Sequence, residues 1–404
     1  MNDPWLNMSK GTIIYVGGFE LPDRNAAAHR VLSNGKILRE LGYEVVFVGV
    51  DSARSVGAEL LRREYFGFEC WSVPYPKGVV AWLKYILGLS TIIKFLQKKR
   101  PAKVVGVICY NYPSVAQGRI KLICRRAGMK MIADATEWYD ASAGSLIHRI
   151  IKFTDTSLRM HIIHRLADGV ITTSKYLTAF YDRKGKATVE LPTLFDADKF
   201  QSPSPREDIS RKRFIYVGSP FDAGRVNKTR SNLKERLDVC IEVFSQLYSA
   251  GEDFRFEIYG IDAKDYLHVF PEHSDMLQEM ARCVVFKGKQ PNQLVLKRIA
   301  ECDFSIFFRD ETRVTLAGFP SKLAESICCG TPVVSNEMVS LEDHAQSVGL
   351  FLAARGEELA LIKKVMALSP REINAVKQCS YQSRTFDYRN YIDKVAAFMA
   401  EVGV

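Results

Sequence analysis

Within eight positions of the chain, Gly318, Ser321, Lys322 and Glu325 supply a turn, two N–H donors, a cation and a carboxylate. Gly318 and Pro320 form a turn, and the residues that follow have the composition of a helix. The amides of Ser321 and Lys322 then sit at a helix N-terminus, where unpaired donors and the helix dipole favour a diphosphate or sugar hydroxyls. One helical turn on, Glu325 shares their face and can accept from two neighbouring hydroxyls at once. Phe319, Pro320 and Leu323 complete the candidate set in this segment. Gly330, Thr331 and Pro332 stop the helix and feed the next strand, and a capped helix before a buried strand explains those three equally well.

A second cluster runs from Tyr216, Val217, Gly218 and Ser219, through a basic loop, to Lys234. A preplaced cation acts where a leaving diphosphate gains charge. Lys234 is the first candidate and Arg230 the second. Arg225 and Lys228 stay open, because the loop 220–232 is long. Gly260 follows a strand, Gly288, Lys289 and Gln290 form a loop after another, and Arg309 ends a third. Arg309 can reach phosphate or sugar, or make a structural salt bridge. In the first half, Gly18 follows a strand, Asn25 and Arg30 follow its loop, and Asp134, Glu137 and Trp138 end a further strand. Carboxylates beside aromatics suit carbohydrate, although a capping Asp with surface aromatics fits the same pattern.

Two cycles of alternating strand and helix must position these groups. The first has strands at Thr12–Val16, Glu44–Val50, Val104–Cys109, Lys130–Ala133 and Gly169–Thr172, with a helix at Ala26–Leu41. The polar, proline-rich run Gln201–Asp208 breaks the pattern as an exposed linker. The second cycle has strands at Arg213–Val217, Phe254–Tyr259, Val284–Phe286, Phe304–Phe308 and Pro332–Ser335, with helices at Glu235–Ala250, Asn292–Ala300 and Ser321–Cys329. The expected fold is α/β, two Rossmann-like doubly wound parallel-sheet domains facing a central cleft. The expected divisions are 1–197, a linker at 198–211, a nucleotide-sugar domain at 212–383, and a C-terminal helix at 384–404 that returns to the first domain. Neither half carries GxGxxG, which removes most support for a dinucleotide oxidoreductase.

The segment Ala317–Val334 resembles the donor site of retaining glycosyltransferases of family 4, the glycosyl transferases group 1, which have the GT-B fold. The resemblance implies a hexose moved from a UDP- or GDP-linked sugar to a glycan or lipid-linked saccharide with retained configuration, in the synthesis of cell-surface polysaccharide. It implies catalytic roles for Lys234, Glu137 and Lys322. Donor contacts follow for Gly18, Ser219, Arg230, Gly260, Gly288, Lys289, Gln290, Arg309, Gly318, Phe319, Pro320, Ser321, Leu323 and Glu325. Acceptor-side contacts follow for Asn25, Arg30, Asp134 and Trp138. No metal and no cofactor are expected. One departure stands out, since the family carries a second glutamate eight residues before this one, where this chain has Ala317. A sugar-nucleotide epimerase or hydrolase, or a catalytically silent partner subunit, are the alternatives.

A chain of 404 residues is too long for one core, because domains stop growing at roughly 250 residues. No segment reaches the ~18 uncharged apolar residues of a membrane span. The N-terminus lacks a signal-peptide pattern, so a cytoplasmic protein is expected. Nine cysteines without ligand spacing read as reduced, mostly buried thiols. The net charge of +10 favours anionic partners, but the cations are dispersed rather than striped with aromatics, which disfavours nucleic acid. Two stretches, 79–100 and 147–165, combine apolar residues with basic ones. They suit either the anionic inner face of a membrane or core-facing helices with basic outer sides.

Overall fold

Runs of buried, β-rich residues set two parallel sheets. The first contains β1 (Thr12–Gly17), β2 (Glu44–Asp51), β3 (Leu61–Tyr65), β4 (Phe68–Pro74), β5 (Val104–Tyr110), β6 (Lys130–Ala135), β7 (Gly169–Thr172) and β8 (Thr188–Glu190), in the order β3-β4-β2-β1-β5-β6-β7-β8. The second contains β9 (Lys212–Val217), β10 (Phe254–Tyr259), β11 (Val284–Gly288), β12 (Phe304–Ile306), β13 (Val333–Asn336) and β14 (Leu350–Ala353), in the order β11-β10-β9-β12-β13-β14. These are the elements of a computed structural model that describes residues 9–404 except 23–24, 56–59, 89–90, 99–102, 139–145, 208–209, 222–225, 227–229, 231–232 and 345–348. Arg225 and Lys228 lie outside the described residues.

Strand order fixes where a ligand can bind. β1 is buried at every position and pairs in parallel with both β2 and β5, so strands are added first on one side of it and then on the other. β9 does the same between β10 and β12. Each reversal opens a crevice at the carboxyl ends of the strands. Only β3 runs antiparallel, against β4. Its charged, largely exposed sequence (Arg62, Arg63, Glu64) has no apolar alternation, which is why the pattern does not announce it, and such charges protect a sheet edge.

The C-terminal helix Ile392–Val402 packs on the first domain. Val395, Phe398, Met399 and Val402 join Ile13, Tyr15 and Ile132 in one buried cluster, and the Tyr43 hydroxyl donates to the Val404 carbonyl at 2.9 Å. In the linker, the Arg206 guanidinium binds both oxygens of Asp303 at 2.6 and 2.7 Å. Ser174 Oγ donates to the Ala317 carbonyl at 3.0 Å, and Ala317 itself lies in the apolar cluster of the first domain. A glutamate at this position would have to share the buried apolar surroundings that Ala317 occupies. None of the nine cysteines is in a disulfide, and seven are buried. Among the described residues no helix is long and apolar enough to cross a membrane.

Two acceptor-side expectations are corrected. Arg30 is 4% exposed and Asp134 is fully buried. The Arg30 guanidinium binds Asp134 at 2.7 Å and donates to the Leu191 carbonyl at 2.6 Å, while the Tyr15 hydroxyl donates to Asp134 at 2.5 Å. The pair ties the helix Ala26–Glu40 to β1, β6 and the segment after β8, and it faces no solvent. A buried pair stripped of one member leaves an uncompensated charge. Asp134→Ala should therefore destabilise the protein by about 3–5 kcal/mol in chemical denaturation, and Arg30→Met/Asp134→Leu should lose clearly less than Asp134→Ala alone.

Candidate active site

The carboxyl edges of β9 and β10 come so close that Gly260 has no room for a side chain, and Gly218 and Gly260 both adopt a positive φ. Gly218 has φ 125° and Gly260 φ 101°. A Cβ on Gly260 would lie 2.5 Å from the Gly218 carbonyl oxygen, and one on Gly218 would lie 3.2 Å from Lys322 Nζ. Backbone fills that corner, and the space above it stays open as a cleft of about 460 Å³ between the domains. That volume is in the range of a small-molecule site.

The second domain supplies most of the lining, with Gly218 and Ser219 after β9, Lys234 and Glu235 before the helix Leu237–Ser249, Gly260 after β10, and Lys289 and Gln290 after β11. Arg309 follows β12, and Phe319, Ser321, Lys322 and Glu325 surround the start of the helix Ser321–Cys328. Asn25, Ala26 and His29 close the cleft from the first domain. Asn25 Oδ1 caps its own helix by accepting from Ala28 N at 2.9 Å. His29 Nε2 lies 3.3 Å from Asn292 Nδ2, which links the two walls.

Charge in the cleft is organised around Glu235. Its carboxylate accepts from Lys322 Nζ, from Arg309 at 2.6 Å and from the Tyr216 hydroxyl. Burial pushes its pKa upward, but the Lys322 and Arg309 charges and the hydrogen bonds outweigh it and hold the acid down to about 2. Burial lowers the Lys322 ammonium to about 8, with Glu235 opposing and Arg309 adding to the shift. Lys322 is thus fixed beneath the floor at 7% exposure. Lys234 is exposed to the cleft and has no ion-pair partner among the described residues.

Glu325 lies on the same wall, half-buried, and its carboxyl has no hydrogen-bond or ion-pair partner among the described residues. Burial raises it to about 7, and Lys322 only partly offsets that. The N-cap of its helix is Pro320, no side chain caps it, and no acid sits in its first turn. An uncapped N-terminus, an unpaired ammonium and an unpartnered carboxyl share one cavity, which is the donor–acceptor pattern of a diphosphate joined to a diol.

Of the other sequence-predicted residues, several stand elsewhere. Leu323 is 1% exposed in the core of the second domain. Arg230 pairs with Glu272 and stacks 4.3 Å over Phe270, outside the cleft lining. Trp138 packs edge-on against Phe180, with centroids 5.1 Å apart, and lies under Arg313 from the second domain at 5.2 Å. Glu137 is half-buried and, like Gly18, does not line the cleft. Gly288, Gly318 and Pro320 shape the wall without lining it, and the Gly288 carbonyl accepts from Gly260 N at 2.8 Å. Glu235 and His29 were given no role by the sequence. Glu235 stands beside Lys234, yet its partner Lys322 is 87 residues away, so no local spacing marks it.

Residues 223–369 match the model of a family described as Glycosyl transferases group 1. A search of curated proteins finds no match by sequence. Among solved structures, sucrose-phosphate synthase from Thermosynechococcus elongatus superposes with a TM-score of 0.68 at 13% identity, covering 97% of this chain and 99% of that one. An E. coli structure titled trehalose-6-phosphate bound with UDP-2-fluoro glucose gives 0.65 at 9% identity, covering 97% and 99%. Anabaena HepE in complex with UDP and glucose gives 0.64 at 13% identity, covering 96% and 99%. Identities this low establish the fold, which is GT-B over the whole described chain.

A carboxyl whose folded pKa is raised to about 7 from 4.5 costs stability above that window and none below it. Glu325→Gln should therefore raise the Tm of the ligand-free protein by about 2–4 °C at pH 8 and leave it unchanged at pH 4 in scanning calorimetry.

Proposed function

We propose that this GT-B glycosyltransferase moves a hexose from a UDP-linked donor to a glycan or lipid-linked saccharide, with the anomeric configuration retained, in the assembly of cell-surface polysaccharide. The observation that carries the reading is the meeting of Lys234, the open helix end at Ser321 and Lys322, and the unpartnered Glu325 in one interdomain cavity. The family match over 223–369 supports the activity, and the printed titles of two structural relatives, which name UDP or a UDP sugar, support the base.

In this reading the ribose hydroxyls donate to Glu325, and the pyrophosphate lies between Lys234 and the amides of Ser321 and Lys322. The bond from the anomeric carbon to the β-phosphate oxygen breaks, and its electron pair leaves with the diphosphate. Negative charge grows on that oxygen, where the Lys234 ammonium and the fixed dipoles of the helix end stabilise it most. The acceptor oxygen bonds the anomeric carbon from the same face, and its proton passes to the departing phosphate oxygen. Of the two carboxylates that line the cleft among the described residues, Glu235 is bound by two cations and Glu325 is assigned to the ribose, so neither is assigned as the nucleophile of a double displacement. Charge neutralisation is assigned to Lys234 and the helix end, without a resident metal or cofactor.

A thermal-shift panel of uridine, guanosine and adenosine diphosphates tests the donor class. UDP alone should raise Tm by several degrees, because a ligand bound only to the native state stabilises it. Lys234→Ala should lower kcat with the UDP sugar by about 10²–10³ while the fold is kept, and EDTA should leave the rate of the parent enzyme unchanged. No shift with any of the three nucleotides, or full turnover by Lys234→Ala, would refute the reading.

A further inference from the structure

We propose that one face of the first domain lies on an anionic lipid bilayer, which brings the acceptor side of the cleft to the membrane. Exposed apolar groups define the face. Val79 is 76% and Val80 66% exposed on the helix Val79–Ile86, Leu122 is 54% exposed on Ser114–Arg126, and Ile150 and Phe153 are 56% and 64% exposed on Leu146–Leu158. The helix Ser114–Arg126 packs against both of the others, so the three helices that carry these groups form one layer of the domain. Single apolar residues on a surface are ordinary, but a contiguous set marks a surface that something covers.

Charge identifies the cover. Residues 79–98, 114–126 and 146–166 contain one acidic residue, Asp155, and it is occupied by Ser114, whose N and Oγ both donate to it at 2.8 Å. Exposed basic residues accompany the apolar groups on every helix of the layer, with Lys84 on the first, Arg119 and Arg125 on the second, and Arg149 on the third. Helices that carry exposed apolar and basic groups together, and whose one acid is held by Ser114, complement an acyl boundary beneath anionic headgroups. With no membrane-spanning helix among the described residues, such a surface rests on the bilayer rather than crossing it.

The location gives the contact a purpose. A Cβ on Gly18, in the loop after β1, would lie 3.9 Å from the hydroxyl of Tyr85 in Val79–Ile86. Trp138, after β6, meets His161 at 5.7 Å in the turn that continues Leu146–Leu158. Two loops at the carboxyl edge of the first sheet, after β1 and after β6, thus lie against the helices that carry the apolar groups. A saccharide held in the bilayer by its lipid can enter the cleft without the lipid leaving the membrane, which narrows the acceptor to the lipid-linked class. Only that last step rests on the proposed transferase function, since membrane contact is read without donor.

The test is co-sedimentation of the full chain with vesicles of phosphatidylcholine alone or mixed with phosphatidylglycerol, beside Val80→Asp/Phe153→Asp. Both positions face solvent, and an unchanged Tm and unchanged UDP shift verify that the variant is folded. The parent should bind the anionic vesicles and release them as salt rises, and the variant should bind at least about tenfold more weakly. Absence of binding to anionic vesicles, equal binding by parent and variant, or a parent dimer that the variant dissociates would overturn the inference. A UDP shift without vesicle binding defeats this inference alone, and vesicle binding without a UDP shift defeats only the donor reading.

Discussion

One carboxylate, Glu235, lets two cations be buried under the floor of the cleft. Its oxygens are shared between Lys322, from the start of a helix, and Arg309, from the end of β12, with the Tyr216 hydroxyl of β9 as a third donor. Three separate segments of the second domain therefore converge on a single anion. Removing it would leave both cations unpaired in a poorly hydrated site, which costs far more than an exposed pair does. The fixed pair sets the positive field of the cleft, and Lys234 and Lys289 line it as exposed cations.

The same arrangement explains Glu325. It stands near Lys322, yet that ammonium is committed to Glu235, so burial dominates and the carboxyl rises to about 7. A protein that holds an unpaired carboxyl there gives up stability, and such a cost is typical of a site shaped for a ligand rather than for the empty fold. The glycine corner at 218 and 260 belongs to the same logic, since it keeps the space above two strand ends free of side chains.

Much of the fold is legible because strands buried on both faces read as apolar runs closed by glycine. β7 and β10 have the bounds that the pattern predicts, Gly169–Thr172 and Phe254–Tyr259. The hairpin β3–β4 is not legible, because a charged edge strand carries no hydrophobic period. The helix Ser321–Cys328 is legible as a site, but which of its residues face the cleft follows from helix geometry. At about 100° per residue, Leu323 stands about 200° from both Ser321 and Glu325, which turns it into the core. Arg30 and Asp134 are 104 residues apart in sequence, as Glu235 and Lys322 are 87 apart, and no local spacing distinguishes a buried ion pair from two exposed site residues. Local motifs mark the wall of the cleft at 318–325, while long-range partners decide which charges there stay unpaired.

The most direct measurement is a crystal structure of the protein with UDP. The account predicts the diphosphate within hydrogen-bonding distance of Lys234 and of the Ser321 and Lys322 amides, with both ribose hydroxyls on Glu325 and Glu235 still bound to Lys322 and Arg309. A nucleotide seated away from the helix end, or Glu325 turned to a protein partner with the ribose held elsewhere, would contradict it.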